Sequence, residues 1–185
     1  MSAHAVPPEP VPADTLLTAE QLRTRVAELG AQIGADYEGR DPVLIGVLKG
    51  AFVFMADLVR AIPIAVEVDF MAVSSYGSAT RSSGVVRIVK DLDLDLTGRH
   101  VLLVEDIVDS GLTLAYLRKT LAQRAPASFE VCALMVREAT LRVDLSVLRY
   151  IGFRIPDEWV VGYGLDVAQH WRNLPDVRIW RGGRD

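Results

Sequence analysis

The chain has 185 residues, the size of one ordinary domain with its own core and no room for a large second one. Lys plus Arg number 20 against 24 Asp plus Glu, a net charge of −4 that speaks against nucleic acid as the main partner, because phosphate backbones want a basic face. A single cysteine, Cys132, excludes an internal disulfide and a cysteine-built zinc site and makes a reducing, cytoplasmic setting the expectation.

Residues 1–14 hold four prolines and no basic-then-apolar run, so they read as a disordered tail and not as a secretory leader. Thr18-Ala19-Glu20-Gln21 fits a capping box, and Leu22, Val26, Leu29 and Ile33 follow at helical spacing, predicting a helix over about 18–37. Val43 to Leu48 is a continuous apolar run broken only by Gly46, the pattern of a strand buried on both faces. After Lys49-Gly50, a helix over Phe52–Ile62 stops at Pro63, and a strand follows at about 64–74. Residues 75–84, Ser-Tyr-Gly-Ser-Ala-Thr-Arg-Ser-Ser-Gly, have no period and read as a mobile loop.

Val85–Val89 reads as a short strand and 91–98 as an acidic connection. His100–Val104 is a second buried strand, Leu112–Arg124 a helix and Phe129–Val136 a third buried strand. Short strands are expected near 149–153, 159–162 and 177–180. Nowhere does a run approach the roughly 18 apolar residues of a membrane-spanning helix. Strand–helix alternation implies right-handed crossovers and a mostly parallel sheet covered on both faces, with ligands at the carboxyl ends of the strands.

Residues 101–113, Val-Leu-Leu-Val-Glu-Asp-Ile-Val-Asp-Ser-Gly-Leu-Thr, run from a buried strand into acids and then into a small turn that opens a helix. Free N–H groups at such a turn suit a phosphate, with the Ser110 and Thr113 hydroxyls adding bonds. Acids beside an anion site make sense with a divalent cation or a polyol, since carboxylates bind Mg²⁺ and accept bonds from sugar hydroxyls. Neither Gly-x-x-x-x-Gly-Lys-Ser/Thr nor Gly-x-Gly-x-x-Gly occurs, so the common nucleotide loops are excluded. The histidines, His4, His100 and His170, stand apart and form no metal motif.

This block resembles the phosphoribosyl-pyrophosphate (PRPP) signature of type I phosphoribosyltransferases. Leu48-Lys49-Gly50, Ser74-Ser75-Tyr76-Gly77, and Val160-Val161-Gly162-Tyr163-Gly164-Leu165-Asp166 followed by Arg172-Asn173-Leu174-Pro175 extend the resemblance to the hypoxanthine-guanine branch. It implies an α/β fold with a central, mostly parallel five-stranded sheet flanked by helices, and a flexible lid. Residues 15–185 would form a single domain, with a small base-binding hood built from the N-terminal helix and about 150–182. The implied reaction transfers the 5-phosphoribosyl group from PRPP to a 6-oxopurine, hypoxanthine or guanine, with Mg²⁺, as a step of purine salvage. The resemblance also implies a homodimer or homotetramer.

The resemblance also implies roles. PRPP would be bound by Glu105, Asp106, Asp109, Ser110, Gly111, Leu112 and Thr113, with Asp109 also shuttling the proton of a purine ring nitrogen. Pyrophosphate would meet Lys49, Gly50, Ser75, Tyr76 and Arg172, the Leu48–Lys49 bond being cis. The base would meet Ile107, Arg137, Trp159, Val160 and Asp166; Mg²⁺ would meet Glu105 and Asp106, and a second Mg²⁺ would meet Asp166. Ser75-Tyr76 and the loop after them would form the lid that keeps water from an oxocarbenium-like centre.

The chain departs from the family at the base pocket. Arg137-Glu138 stands where relatives commonly have Lys-Pro, Trp159 where phenylalanine stacks on the purine, and Val167 where a tyrosine follows the aspartate. Arginine keeps the positive charge but is longer and planar. Two alternatives therefore stand beside salvage: the same reaction on a modified purine such as a 7-deazapurine, and a non-catalytic PRPP-sensing regulator. Asp109, Lys49 and Arg172 argue against the regulator, and a PRPP synthase would need a longer chain.

Overall fold

The computed structural model describes residues 12–75, 86–142, 146 and 148–182. Twelve elements carry the argument. In chain order they are β1 (Thr15–Leu17), α1 (Ala19–Asp36), β2 (Pro42–Leu48), α2 (Phe52–Ala61), β3 (Glu67–Ser75), β4 (Val86–Lys90), β5 (His100–Val108), α3 (Leu112–Ala122), β6 (Ser128–Val136), β7 (Leu148–Arg154), β8 (Val160–Val161) and β9 (Val177–Ile179).

The main sheet has strand order β4-β3-β2-β5-β6-β7. β3, β2, β5, β6 and β7 run parallel, the five strands expected, and β4 adds a sixth, antiparallel edge strand on β3. Apolar alternation within the strands splits the core in two. Leu44, Leu102, Val104, Cys132 and Leu134 face the α1 and α2 side with Leu22, Leu29, Ile33, Phe54 and Leu58. Val43, Ile45, Val101, Leu103, Val131 and Ala133 face the other side with Leu114, Leu117 and Leu121 of α3. Both faces of the strands need an apolar residue, which is why the sequence reads there as unbroken apolar runs.

The capping box opens α1 as expected: the Gln21 N–H donates to Thr18 Oγ1 at 3.2 Å and the Thr18 N–H donates to Gln21 Oε1 at 2.8 Å. α1 lies on α2, and Arg25 ties it to β7 by donating to the carbonyls of Gly152 at 3.0 Å and Ile151 at 2.8 Å. The helix therefore belongs to the main layer, which corrects its expected place in the hood. β7 likewise joins the main sheet.

The hood is a separate antiparallel sheet of order β1-β9-β8. Its N-terminal contribution is β1, which pairs Leu17 with Val177 and was not foreseen, because three residues carry too little pattern to register. The tail is also shorter than expected at its inner end. Arg178 Nη1 donates to the Pro12 carbonyl at 2.9 Å, and the Ile179 N–H donates to the Asp14 carbonyl at 2.8 Å. Residues 1–11 of the expected tail lie outside the described residues. Two further boundaries shift: β5 continues past Val104 to Val108, so Glu105 and Asp106 are strand residues, and α3 ends at Ala122.

Thr18→Ala removes an exposed cap whose loss costs about 1 kcal/mol. For a chain of this size that lowers the melting temperature by about 2–4 °C, measurable by scanning calorimetry. An unchanged melting temperature contradicts the role given to the capping box.

Candidate active site

β2 leads through α2 to β3 on one side, and β5 leads through α3 to β6 on the other. The strand order therefore reverses between β2 and β5, and a crevice opens outside their carboxyl ends. A cavity of about 250 Å³ lies there, lined by Val47, Leu48 and Gly50 at the end of β2 and by Glu105 to Gly111, Thr113 and Leu114 from the end of β5 into α3; Leu112 does not line it. The candidate residues Glu105, Asp106, Ile107, Asp109, Ser110, Gly111 and Thr113 all line it. The Leu48–Lys49 peptide bond is cis, as expected.

Two glycines let the segments close on one another. A Cβ on Gly50 would lie 1.5 Å from Asp106 Oδ2, so this carboxylate sits directly on the Gly50 backbone. A Cβ on Gly164 would lie 2.2 Å from the Gly50 carbonyl oxygen, and Gly164 has φ +101°, a conformation that residues with a Cβ avoid. The hood loop thus rests on the turn after β2.

The two strand-end acids are uncomfortable as anions. Burial raises the Glu105 carboxyl well above the usual carboxylate range, and the neighbouring Asp106 adds to it. Burial also pushes Asp106 up to about 6, against the opposing pull of the Ile107 N–H, its own backbone N–H and Arg172; Asp166 adds to the rise. A divalent cation relieves this strain, which fits the donor set for Mg²⁺. Among the described residues, however, no three His, Cys, Asp or Glu side chains converge as a metal site. Mg²⁺ is commonly held by one or two carboxylates together with substrate phosphates and waters, which is the arrangement these residues permit.

Beyond β5, Gly111 caps α3 in a left-handed conformation at φ +77°, and the Leu112 N–H donates weakly to Ser110 Oγ at 3.4 Å. The turn presents the helix start to the cleft, where backbone N–H groups receive an anion. Asp109 at its entry is half exposed and doubly held: Arg137 Nη1 pairs with its Oδ2 at 2.9 Å and the Thr140 hydroxyl donates to its Oδ1. Arg137 is buried and also donates through Nη2 to the Glu158 carbonyl at 2.7 Å, linking the phosphate turn to the residue before Trp159. Its Nε is buried without a hydrogen-bond partner.

On the hood, Val160 is buried in β8, whereas Trp159 is 45% exposed and leaves its ring open to a planar ligand. Asp166 pairs with Arg172 Nη2 at 2.6 Å, and Arg172 Nη1 donates to the Gly164 carbonyl at 2.7 Å. Lys49 Nζ donates to Gln169 Oε1 at 3.1 Å, and Arg172 Nη2 reaches the same oxygen at 3.4 Å. Lys49 and Arg172, separated by 123 positions, are brought onto one oxygen.

Tyr76 and the rest of the expected lid, 77–84, lie outside the described residues. Of Ser75, the backbone closes β3 opposite Val86. A larger cavity of about 720 Å³ lies elsewhere, between α1, α2 and the hood, with Arg172 at its wall; it has neither the acids nor the phosphate turn. Thr140, Glu158 and Gln169 were not foreseen as site residues. No local motif marks them, because each acts through a partner distant in the chain.

The Phosphoribosyl transferase domain family matches residues 12–168. A hypoxanthine-guanine phosphoribosyltransferase of Mycobacterium tuberculosis is 54% identical over 165 residues, covering 86% of this chain and 81% of that protein. The hypoxanthine phosphoribosyltransferase of Escherichia coli is 48% identical over 166 residues, covering 89% and 93%. Among solved structures, a hypoxanthine-guanine phosphoribosyltransferase of Bacillus anthracis superposes with a TM-score of 0.87 at 46% identity, covering 92% of this chain and 99% of that one.

Gly50→Ala forces Asp106 off its seat, because the new methyl occupies the carboxylate's place. Overpacking of this kind costs about 1–3 kcal/mol. Calorimetry checks it, and an unperturbed melting temperature contradicts the contact. The raised acids carry a pH signature. In the absence of metal, stability from Asp106 is fully present below its unfolded range near pH 4 and is lost as pH rises through about 6. Asp106→Asn should therefore gain on the unsubstituted protein as pH rises from about 4 to 7 in chelator. A difference in melting temperature that stays constant across that window rules the assignment out.

Proposed function

The chain belongs to the hypoxanthine-guanine phosphoribosyltransferase family, and from that premise we propose how its cleft serves the family's reaction. It is an enzyme of purine salvage that transfers the 5-phosphoribosyl group from PRPP to a purine base, giving the nucleoside 5'-monophosphate and pyrophosphate. Similarity at this level does not favour the modified-base or regulator readings. Among the described residues, no helix is long and apolar enough to cross a membrane.

One arrangement carries the assignment of roles: a helix-opening turn and two strand-end acids line one crevice, and two tethered cations stand at its edge, Lys49 between the lining residues Leu48 and Gly50 and Arg172 near enough to Asp106 to favour its anion. In our reading the Asp109–Thr113 turn holds the 5-phosphate through its N–H groups and hydroxyls. Glu105 and Asp106 receive the ribose hydroxyls and hold Mg²⁺, with Asp166 toward a second ion. When bound, Mg²⁺ neutralises phosphate charge on PRPP. Lys49 and Arg172, with Gly50, Ser75 and Tyr76, take the pyrophosphate, whose departure leaves positive charge on the ribose ring. Trp159 stacks on the purine, with Ile107 and Val160 beside it and Arg137 near its polar edge.

Asp109 takes the proton of the imidazole-ring nitrogen as the new bond forms. For that, it exchanges one of its present donors, Arg137 or Thr140, for the base. Arg137 thus holds the carboxylate in place before the base arrives. A homodimer or homotetramer in the cytoplasm completes the proposal. It is supported by the resemblance and by Phe52, which is 44% exposed on α2 beside the larger cavity.

Turnover with PRPP and Mg²⁺ across hypoxanthine, guanine, xanthine and 7-deazapurines tests the reading. Hypoxanthine or guanine should be the best substrate; a 7-deazapurine turned over faster would overturn the base assignment. Asp109→Asn should cut kcat by about 100-fold or more while leaving PRPP affinity within a few-fold. Unchanged turnover refutes its proton role.

A further inference from the structure

The 166–172 segment contains a side chain that neither the motifs nor the reaction call for. Gln169 is exposed, yet its Oε1 accepts from Lys49 Nζ at 3.1 Å and from Arg172 Nη2 at 3.4 Å, and its N–H donates to Asp166 Oδ2 at 2.7 Å. Lysine and arginine have donors and no acceptor, so only the amide oxygen can face them, which fixes the orientation of the amide. One residue therefore ties together three charged groups, Lys49, Arg172 and Asp166. The backbone is bent to achieve this. Ala168, Gln169 and Trp171 have φ of +48°, +66° and +71°, conformations that residues with a Cβ rarely adopt. Reciprocal bonds between Val167 and His170, and between Gly164 and Arg172, hold the turn in that shape.

We infer that Gln169 is a positioning residue for the pyrophosphate group: its amide oxygen holds Lys49 and Arg172 converged on one point, which a pyrophosphate oxygen takes over when PRPP binds. Two cations aimed at one place repel, and in the absence of substrate something must accept from both. A neutral amide suits the task because its bonds are weaker than those of an anion and yield to phosphate. A carboxylate in its place would pair with both cations and compete with the substrate. The inference rests on the pyrophosphate roles of Lys49 and Arg172 proposed above.

Two exposed-site variants test it without disturbing the core. Gln169→Met keeps the size and removes the acceptor. It should raise the KM for PRPP and the Kd for Mg²⁺-pyrophosphate about three- to tenfold, with the base KM and the melting temperature unchanged and kcat within about twofold. Gln169→Glu should raise both PRPP terms by about tenfold or more, and the excess over Gln169→Met should shrink as salt is raised. PRPP and pyrophosphate affinities that are unchanged in both variants would overturn the inference. So would a loss shared equally by base and PRPP together with a lower melting temperature. The two readings fail separately. Unsubstituted protein that binds pyrophosphate in a Gln169-dependent way but transfers no phosphoribosyl group refutes the proposed reaction alone. Full turnover with unaltered pyrophosphate affinity in the variants refutes the positioning role alone.

Discussion

The seat of the Asp106 carboxylate on the Gly50 backbone is the contact on which the site depends. It joins the ends of β2 and β5, the two strands between which the sheet reverses its order, and Gly164 brings the hood down onto the same point. No side chain fits at Gly50 or Gly164, so three chain segments approach to backbone distance. The consequence is electrostatic as well as steric. Asp106 and the adjacent Glu105 are withdrawn from water, among the described residues no cation is bonded to either carboxylate, and both carboxyls resist ionisation. The crevice is thus built to favour a ligand that supplies positive charge or hydroxyl donors at the strand end. A sugar phosphate arriving with a divalent cation supplies both.

Around that seat, positive charge is tethered and held in reserve. Arg172 is paired with Asp166, Lys49 rests on Gln169, and Arg137 is paired with Asp109. Each cation named for the substrate has an internal partner in the free protein. A net charge of −4 is therefore compatible with a strongly anionic substrate. The overall balance governs long nucleic acids, whose phosphates sample a whole face, whereas a small phosphate meets only local N–H groups and side chains. Of the 24 acids in that total, Glu105, Asp106 and Asp109 line the crevice itself, and Asp166 pairs with Arg172 beside it.

Arg137 shows how one departure from the family pattern is absorbed. A lysine has one head group, but the guanidinium fork reaches both Asp109 and the Glu158 carbonyl. The same side chain therefore couples the phosphate turn to the segment that carries Trp159 into β8. The connection loses a proline next to it, and Thr140 instead fastens it by bonding both Asp109 and the Arg137 carbonyl.

Much of the architecture was legible because its cause is local. Strands buried on both faces must be apolar throughout, so β2, β5 and β6 announce themselves, and the box at Thr18 and Gln21 marks the start of α1 within one turn. The acids and the small turn after β5 were legible for the same reason, since a phosphate turn is made by consecutive residues. Strand β1, the extension of β5 through Glu105 and Asp106, and the true membership of the hood were not. A three-residue strand is stabilised only by its partner β9, and acids continue a strand only because β6 is there to pair with them. The sequence by itself determined the alternation of elements, the side of the sheet on which the chemistry sits and the residue types available for it. Only the tertiary structure decided which charges face one another: Lys49 with Arg172 through Gln169, and Asp109 with Arg137 and Thr140. Those pairings join residues up to 123 positions apart, and no local periodicity records a contact made by the closing of a sheet against its hood.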